Sequence, residues 1–142
     1  MTKSIEETEQ EIIEEFEVFD DWIGKYEYLI DLGKSLPLID EKYKTEDKLI
    51  KGCQAQVWLQ SELKDGKVVY TADSDAIITK GMVALMIRVL SDHTPDEIIN
   101  SKLDFVDKIG LTKHLSPTRS NGLLSMIKQM KMDALTYKQF KV

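Results

Sequence analysis

Apolar residues recur along most of this chain at the spacing of helices, and shift to the spacing of strands in one central stretch. Ile5, Ile12, Ile13 and Phe16 fall at i, i+7, i+8 and i+11, and Trp22, Tyr26, Leu29 and Ile30 at i, i+4, i+7 and i+8. Two amphipathic helices are therefore predicted at the start. Gly33 is placed as the residue that closes the second, and Pro37 prevents its resumption. From Lys48 to Tyr70 the period shortens. Gln56-Val57-Trp58-Leu59 and Lys67-Val68-Val69-Tyr70-Thr71 read as strands joined through Lys64-Asp65-Gly66, with Lys48-Leu49-Ile50 as a third. Helix returns through Ile78, Met82, Leu85, Met86 and Val89, with Asp73, Ser74 or Asp75 as its cap and Gly81 signalling close packing on a neighbour. Thr94-Pro95-Asp96-Glu97 is a capping box with proline at the first helical position. A short helix through Leu103, Phe105, Val106 and Ile109 is expected to end near Gly110. Ser116-Pro117 opens a last helix with Leu123, Ile127, Met130 and Ala134 on its buried side. The fold class is α+β, a small antiparallel three-stranded sheet packed against several helices in a single domain over 1–142.

Composition is consistent with that reading. At 142 residues, 42% hydrophobic and 31% charged, the chain can bury a core without disulfides or metal. The acidic start, Met1-Thr2-Lys3-Ser4-Ile5-Glu6-Glu7, lacks the apolar core of a signal peptide, and no apolar run approaches the roughly 18 residues that span a bilayer. The expected location is the cytoplasm, where a lone thiol stays reduced. Charge is uneven. Residues 1–47 hold fifteen Asp and Glu against five Lys, whereas residues 48–142 hold ten acids against fourteen bases. The small basic excess has little aromatic interleaving, which does not favour nucleic acid as a partner. The acidic segment is either a solvated helix face or a docking surface.

Candidate chemistry concentrates on the only cysteine. Cys53 follows Gly52 just before a predicted strand, so it has no internal disulfide partner, and with two histidines elsewhere it builds no convincing zinc site. Gly52 suits a turn that carries the thiol outward, and Lys51 is placed to favour the thiolate. Gln54 and Gln56 either orient a group on the sulfur or satisfy backbone at the loop. His93 and His114 lie beside predicted helix starts, positions that suit structural or solvent-facing roles. Arg119 is one of two arginines among seventeen lysines, in the first turn of a helix, where a cation opposes the helix dipole. That position invites either a partner contact or an internal salt bridge.

Gly52-Cys53-Gln54-Ala55-Gln56-Val57-Trp58 resembles the signature of the SufE family, sulfur acceptors that take persulfide sulfur from a cysteine desulfurase for iron–sulfur cluster assembly. Trp22 to Pro37, Ala72 to Leu85 and Leu111 to Leu124 resemble three further blocks of that family in order. The resemblance implies that Cys53 carries the persulfide, and that Gly52, Gln54, Gln56, Asp75 and Arg119 support the loop or meet the partner. It implies a SufS-like cysteine desulfurase and a downstream iron–sulfur scaffold as partners, with neither nucleic acid nor membrane. The chain is expected to need no cofactor or metal of its own, since pyridoxal phosphate belongs to the desulfurase. It reads as a sulfur-transfer accessory protein with a covalent cysteine persulfide, not as an independent enzyme. Alternatives are a Csd-type relay serving another sulfur pathway, a cluster scaffold, and a cysteine hydrolase or redox sensor. A scaffold of the NifU/IscU type uses three cysteines, and one cannot hold a cluster by thiolates alone.

Overall fold

The computed structural model describes residues 3–139, with Thr112 by its backbone alone, so the outermost ends of the 1–142 range lie outside the described residues. Helix α1 (Ile5–Glu17) starts at a capping box in which Ser4 Oγ accepts the Glu7 N–H and Glu7 answers to the Ser4 N–H. Asp21 caps α2 (Trp22–Gly33) by accepting the Gly24 N–H at 2.8 Å. The hairpin follows as β1 (Val57–Lys64) and β2 (Lys67–Ser74), antiparallel with Val57 opposite Ser74 and Lys64 opposite Lys67. Its turn, Asp65-Gly66, has φ of 51° and 80°, the paired left-handed conformation that matches the twist of a two-residue hairpin.

Among the described residues the sheet has two strands, not the three expected. The predicted strand at Lys48-Leu49-Ile50 shrinks to one bridge, Leu49 to Trp58, because Glu46–Lys48 winds into a 3₁₀ turn directly before it. A second bridge joins Leu38 to the far edge of β2 at Ala72, so residues 38–49 cross one face of the hairpin from edge to edge. Lys44 fastens this strap. Its Nζ lies 2.7 Å from Asp73 Oδ2 and 5.5 Å from the centre of the Trp58 ring, and Asp73 and Trp58 are cross-strand partners.

Helix α3 (Ile77–Leu90) is the centre of the core, with Met82 through Ile87, Val89 and Leu90 all buried. Gly33 is the last residue of α2 and stays right-handed, with Lys34 beyond it, so it is not the left-handed stop expected there. Its function is contact: a Cβ on Gly33 would sit 3.1 Å from the Gly81 N, and one on Gly81 would collide with the Leu29 carbonyl. The expectation of close packing at Gly81 therefore holds, and it takes glycine on both helices. Arg88 ties α3 to α1 through two bonds to Glu15, at 2.7 and 2.6 Å, and the Tyr28 hydroxyl donates to the same carboxylate.

The remaining helices close the core. Helix α4 (Pro95–Asn100) begins at the predicted Thr94–Glu97 capping box. The short α5 (Phe105–Lys108) runs into Gly110, whose φ of 78° turns the chain into α6 (Leu111–His114). Helix α7 (Pro117–Gln139) buries Gly122, Leu123, Met126, Met130 and Ala134. Ile127, expected in this stripe, is only half-buried, since Met126 takes the deeper position. The Tyr70 hydroxyl donates to the Met130 carbonyl at 2.6 Å and so pins β2 to α7.

Gly81→Ala is expected to force α2 and α3 apart and cost about 1–3 kcal/mol, the usual range for overpacking a tight core. Urea unfolding measures this, and a loss below about 0.5 kcal/mol would show that the contact gives easily.

Candidate functional site

Ile50 and Val57 are both buried, and the Ile50 N–H donates to the Val57 carbonyl at 2.9 Å, so residues 51–56 form a loop closed at its neck. Gly52 turns this loop with φ of 92°, and a Cβ there would lie 2.5 Å from Ser125 Oγ of α7. Both the angle and the space demand glycine. The turn points Cys53 inward, contrary to the exposed tip that a loop position suggests. Its thiol is half-buried and donates weakly to the Gly122 carbonyl at 3.5 Å. Gly122 makes room for this approach, since a Cβ at that position would stand 3.4 Å from Sγ.

On its other side the loop is held by Asp75. The sequence suggested Asp73, Ser74 or Asp75 as the cap of α3, but the cap position is Ala76 with no side-chain bond. Asp75 Oδ1 instead accepts the Gln56 N–H at 3.0 Å, reaching back across the strand pair to the cysteine loop. Ser74 Oγ accepts the Ala76 N–H, and Asp73 is engaged by Lys44 and by Lys80 at 3.2 Å. Burial pushes the Asp73 carboxyl up, but Lys44, the Ser74 N–H and Lys80 together hold it below the usual carboxylate range.

A cavity of about 400 Å³ opens beside the sulfur, and its lining includes Cys53, Gln54, Asp75, Thr79, Thr118 and Arg119 as well as Met82 and Gly122. The structure thus brings together four of the residues singled out in the sequence. Gly52 and Gln56 lie outside the cavity: Gly52 makes the turn, and Gln56 acts through its backbone N–H while its side chain faces solvent. Thr79, Thr118, Gly122 and Ser125 were missed. The available signal was the small pair Gly122 and Ser125, at i and i+3 on an otherwise Leu- and Met-rich helix.

Electrostatics favour the protonated thiol at rest. Burial pushes the Cys53 thiol up, and Lys51, expected to favour the thiolate, is exposed and contributes nothing to it. Arg119 lies in the first turn of α7, where Ser116 Oγ accepts its backbone N–H at 3.3 Å. Its guanidinium has no ion-pair partner among the described residues, so the internal salt bridge considered for it does not form. Neither histidine lines the cavity. His93 is buried beside β2, with Nδ1 3.5 Å from Glu97, and His114 stacks on Trp22 at 3.9 Å. Among the described residues, no group of three or more His, Cys, Asp or Glu is placed to hold a metal ion. No described helix is long and apolar enough to cross a membrane.

Fold and site together define an α+β domain that seats one thiol, on a loop feeding a hairpin, against a glycine of its last helix. The chain belongs to the SufE family, described as an Fe-S metabolism associated domain, which residues 10–134 match. It is 41% identical over 127 residues to SufE-like protein 1, chloroplastic/mitochondrial, of Arabidopsis thaliana, a match covering 89% of this chain and 34% of that protein. The chain therefore spans about a third of that relative's length. Uncharacterized SufE-like proteins of Rhizobium meliloti and Synechocystis are each 39% identical, over 87% and 89% of this chain and 92% and 79% of theirs. The solution structure of a hypothetical protein from Thermus thermophilus shares the fold, with a TM-score of 0.77 at 16% identity, covering 93% of this chain and 96% of that one.

The raised thiol has a measurable consequence. The folded protein holds the Cys53 proton more tightly than the unfolded chain, so the stability this contributes is complete below about pH 8.5 and lost as pH rises through the higher folded value. Alkylation of Cys53 should accordingly reach half its maximal rate above about pH 8.5. Asp75→Ala removes one loop bond worth about 1 kcal/mol, so alkylation should quicken about five-fold and its midpoint fall. Unchanged kinetics in the variant would show that Asp75 does not hold the loop.

Proposed function

We propose that this protein accepts a sulfur atom on Cys53 from a cysteine desulfurase, stimulates that enzyme's turnover, and passes the sulfur to iron–sulfur cluster assembly. The observation that carries this reading is a lone thiol seated beside a cavity on a latched loop, with no histidine lining that cavity. Such a site lacks the adjacent base of a cysteine hydrolase. A single thiol is, however, sufficient for sulfur transfer. The Cys53 thiolate attacks the outer sulfur of the donor's persulfide, the donor's sulfur–sulfur bond breaks, and the donor thiolate leaves with the bonding pair. The proton that Cys53 gave up ends on the departing thiolate, and no oxidant or reductant is consumed.

The resting geometry supports a gated version of this step. With its thiol pushed up by burial, Cys53 is a poor nucleophile alone, so attack requires the loop to leave Gly122 and Asp75 for the donor's site. Arg119 lines the same cavity with a guanidinium that no ion pair engages among the described residues, which suits contact with the desulfurase or with a persulfide anion. The pyridoxal phosphate of the reaction belongs to the desulfurase, of Suf or Csd type, and this chain supplies the acceptor sulfur. Its place of action is a reducing compartment such as the cytoplasm, where the free thiol persists.

Mixing the protein with a cysteine desulfurase and cysteine should add the mass of one or more sulfur atoms to wild type, removable by reductant, and none to Cys53→Ser. Labelling that persists in the serine variant would sink the assignment. A second test concerns Arg119. Arg119→Ala should weaken binding to the desulfurase and reduce stimulation of its turnover, while melting stays within a degree or so and free Cys53 keeps its alkylation rate, since the cation opposes the helix dipole. Normal binding with a melting point several degrees lower would instead assign Arg119 a structural role.

A further inference from the structure

Helix α7 has two apolar stripes, and only one is covered. Leu123, Met126, Met130 and Ala134 face the core. On the opposite side Leu124, Met132 and Leu135 are 63%, 51% and 43% exposed, at i, i+8 and i+11, a row about 16 Å long. Lys128 stands between them at i+4, exposed and without an ion-pair partner among the described residues. The other charges of the helix sharpen the pattern. Asp133, its only acid, turns inward to accept from Ser61 Oγ at 3.1 Å and from the Gln129 amide at 2.9 Å. Lys131 donates to the Ser101 carbonyl and Lys138 pairs with Asp96. The outward row of α7 thus carries three apolar side chains, one cation without an ion pair among the described residues, and no acid, on a chain whose net charge is −6.

We propose that this face docks an acidic amphipathic helix of another protein. Apolar anchors at helical spacing with a cation among them are the features by which a helix surface receives a partner helix, and charge complementarity selects the acidic one. A second copy of this chain is the poorer fit. Its acidic face is α1, where Glu6, Glu7, Glu14 and Glu17 are exposed, and pairing α7 with α1 of another copy is head-to-tail, leaving an unpaired face at each end. Three partly exposed anchors make a small interface, which suits a transient, salt-sensitive contact. The row begins at Leu124, two residues after the Gly122 against which Cys53 rests. On the sulfur-transfer reading the occupant is the protein that receives the sulfur; the binding itself does not depend on that reading.

The test uses the full chain and a fluorescein-labelled peptide of about 18 residues with leucines at i, i+3, i+4 and i+7 and glutamates elsewhere, long enough to form helix on contact. Anisotropy should show saturable binding that falls as salt rises and weakens about ten-fold or more in the Lys128→Glu, Leu135→Glu double variant. The scrambled peptide should bind no more tightly to wild type than the helical one does to the variant. Should the double variant melt early, Lys128→Glu alone serves, since that side chain is solvent-facing. No binding, or equal binding to wild type and variant, overturns the proposal. Concentration-dependent self-association abolished by the same substitutions would identify a second copy as the occupant and overturn it too. So would binding to anionic phosphatidylglycerol vesicles with none to the peptide. Persulfide loading of Cys53, followed separately by mass, is expected to be unaffected by the double variant, which keeps a failure here distinct from a failure of the sulfur-acceptor reading.

Discussion

Because α3 is covered on nearly every side, the elements around it have little freedom in where they sit. The Gly33–Gly81 contact brings α2 within backbone distance of α3, and Arg88 draws α1 in from the next face. The hairpin enters α3 directly from β2, so its root, Asp73-Ser74-Asp75, is held where the core ends. Every polar group at that root fastens something: Asp73 the strap through Lys44, Ser74 the start of α3, Asp75 the cysteine loop. The position of the thiol is therefore a consequence of core packing several residues away.

The local chemistry follows from the same arrangement. Seating Cys53 against Gly122 removes it partly from water, which favours the neutral thiol, while the paired carboxylate of Asp73 lies two residues before Asp75 and serves structure. Arg119 and Asp75 both line the cavity, yet Arg119 forms no ion pair with any carboxylate among the described residues. The site at rest therefore combines a protonated thiol with a cation that no ion pair engages among the described residues.

Much of this was legible from the chain itself, where the signal was local. The Thr94 capping box, the Asp65-Gly66 turn and the glycine inside α3 each carry their physical reason within a few residues. What was misread depended on distance. Asp75 looks like a helix cap, and only the fold reveals that Gln56, nineteen residues earlier, claims its oxygen. Leu49 has strand neighbours on one side, but the Glu46–Lys48 turn leaves it a single bridge. In α7 the phase of the buried stripe favours Met126 over Ile127, a difference of one position that periodicity leaves open. The role of Gly122 was invisible because a glycine on a buried face signals closeness without saying to what.

The neck of the cysteine loop, the Ile50–Val57 backbone bond between two buried side chains, has an entropic meaning. Loop closure has already occurred at that neck, so lifting Cys53 away from Gly122 frees only residues 51–56 and leaves the chain on either side in place. The thiol sits on a short tethered ring. Within that ring the thiol can leave its seat and return while the Ile50–Val57 bond stays closed.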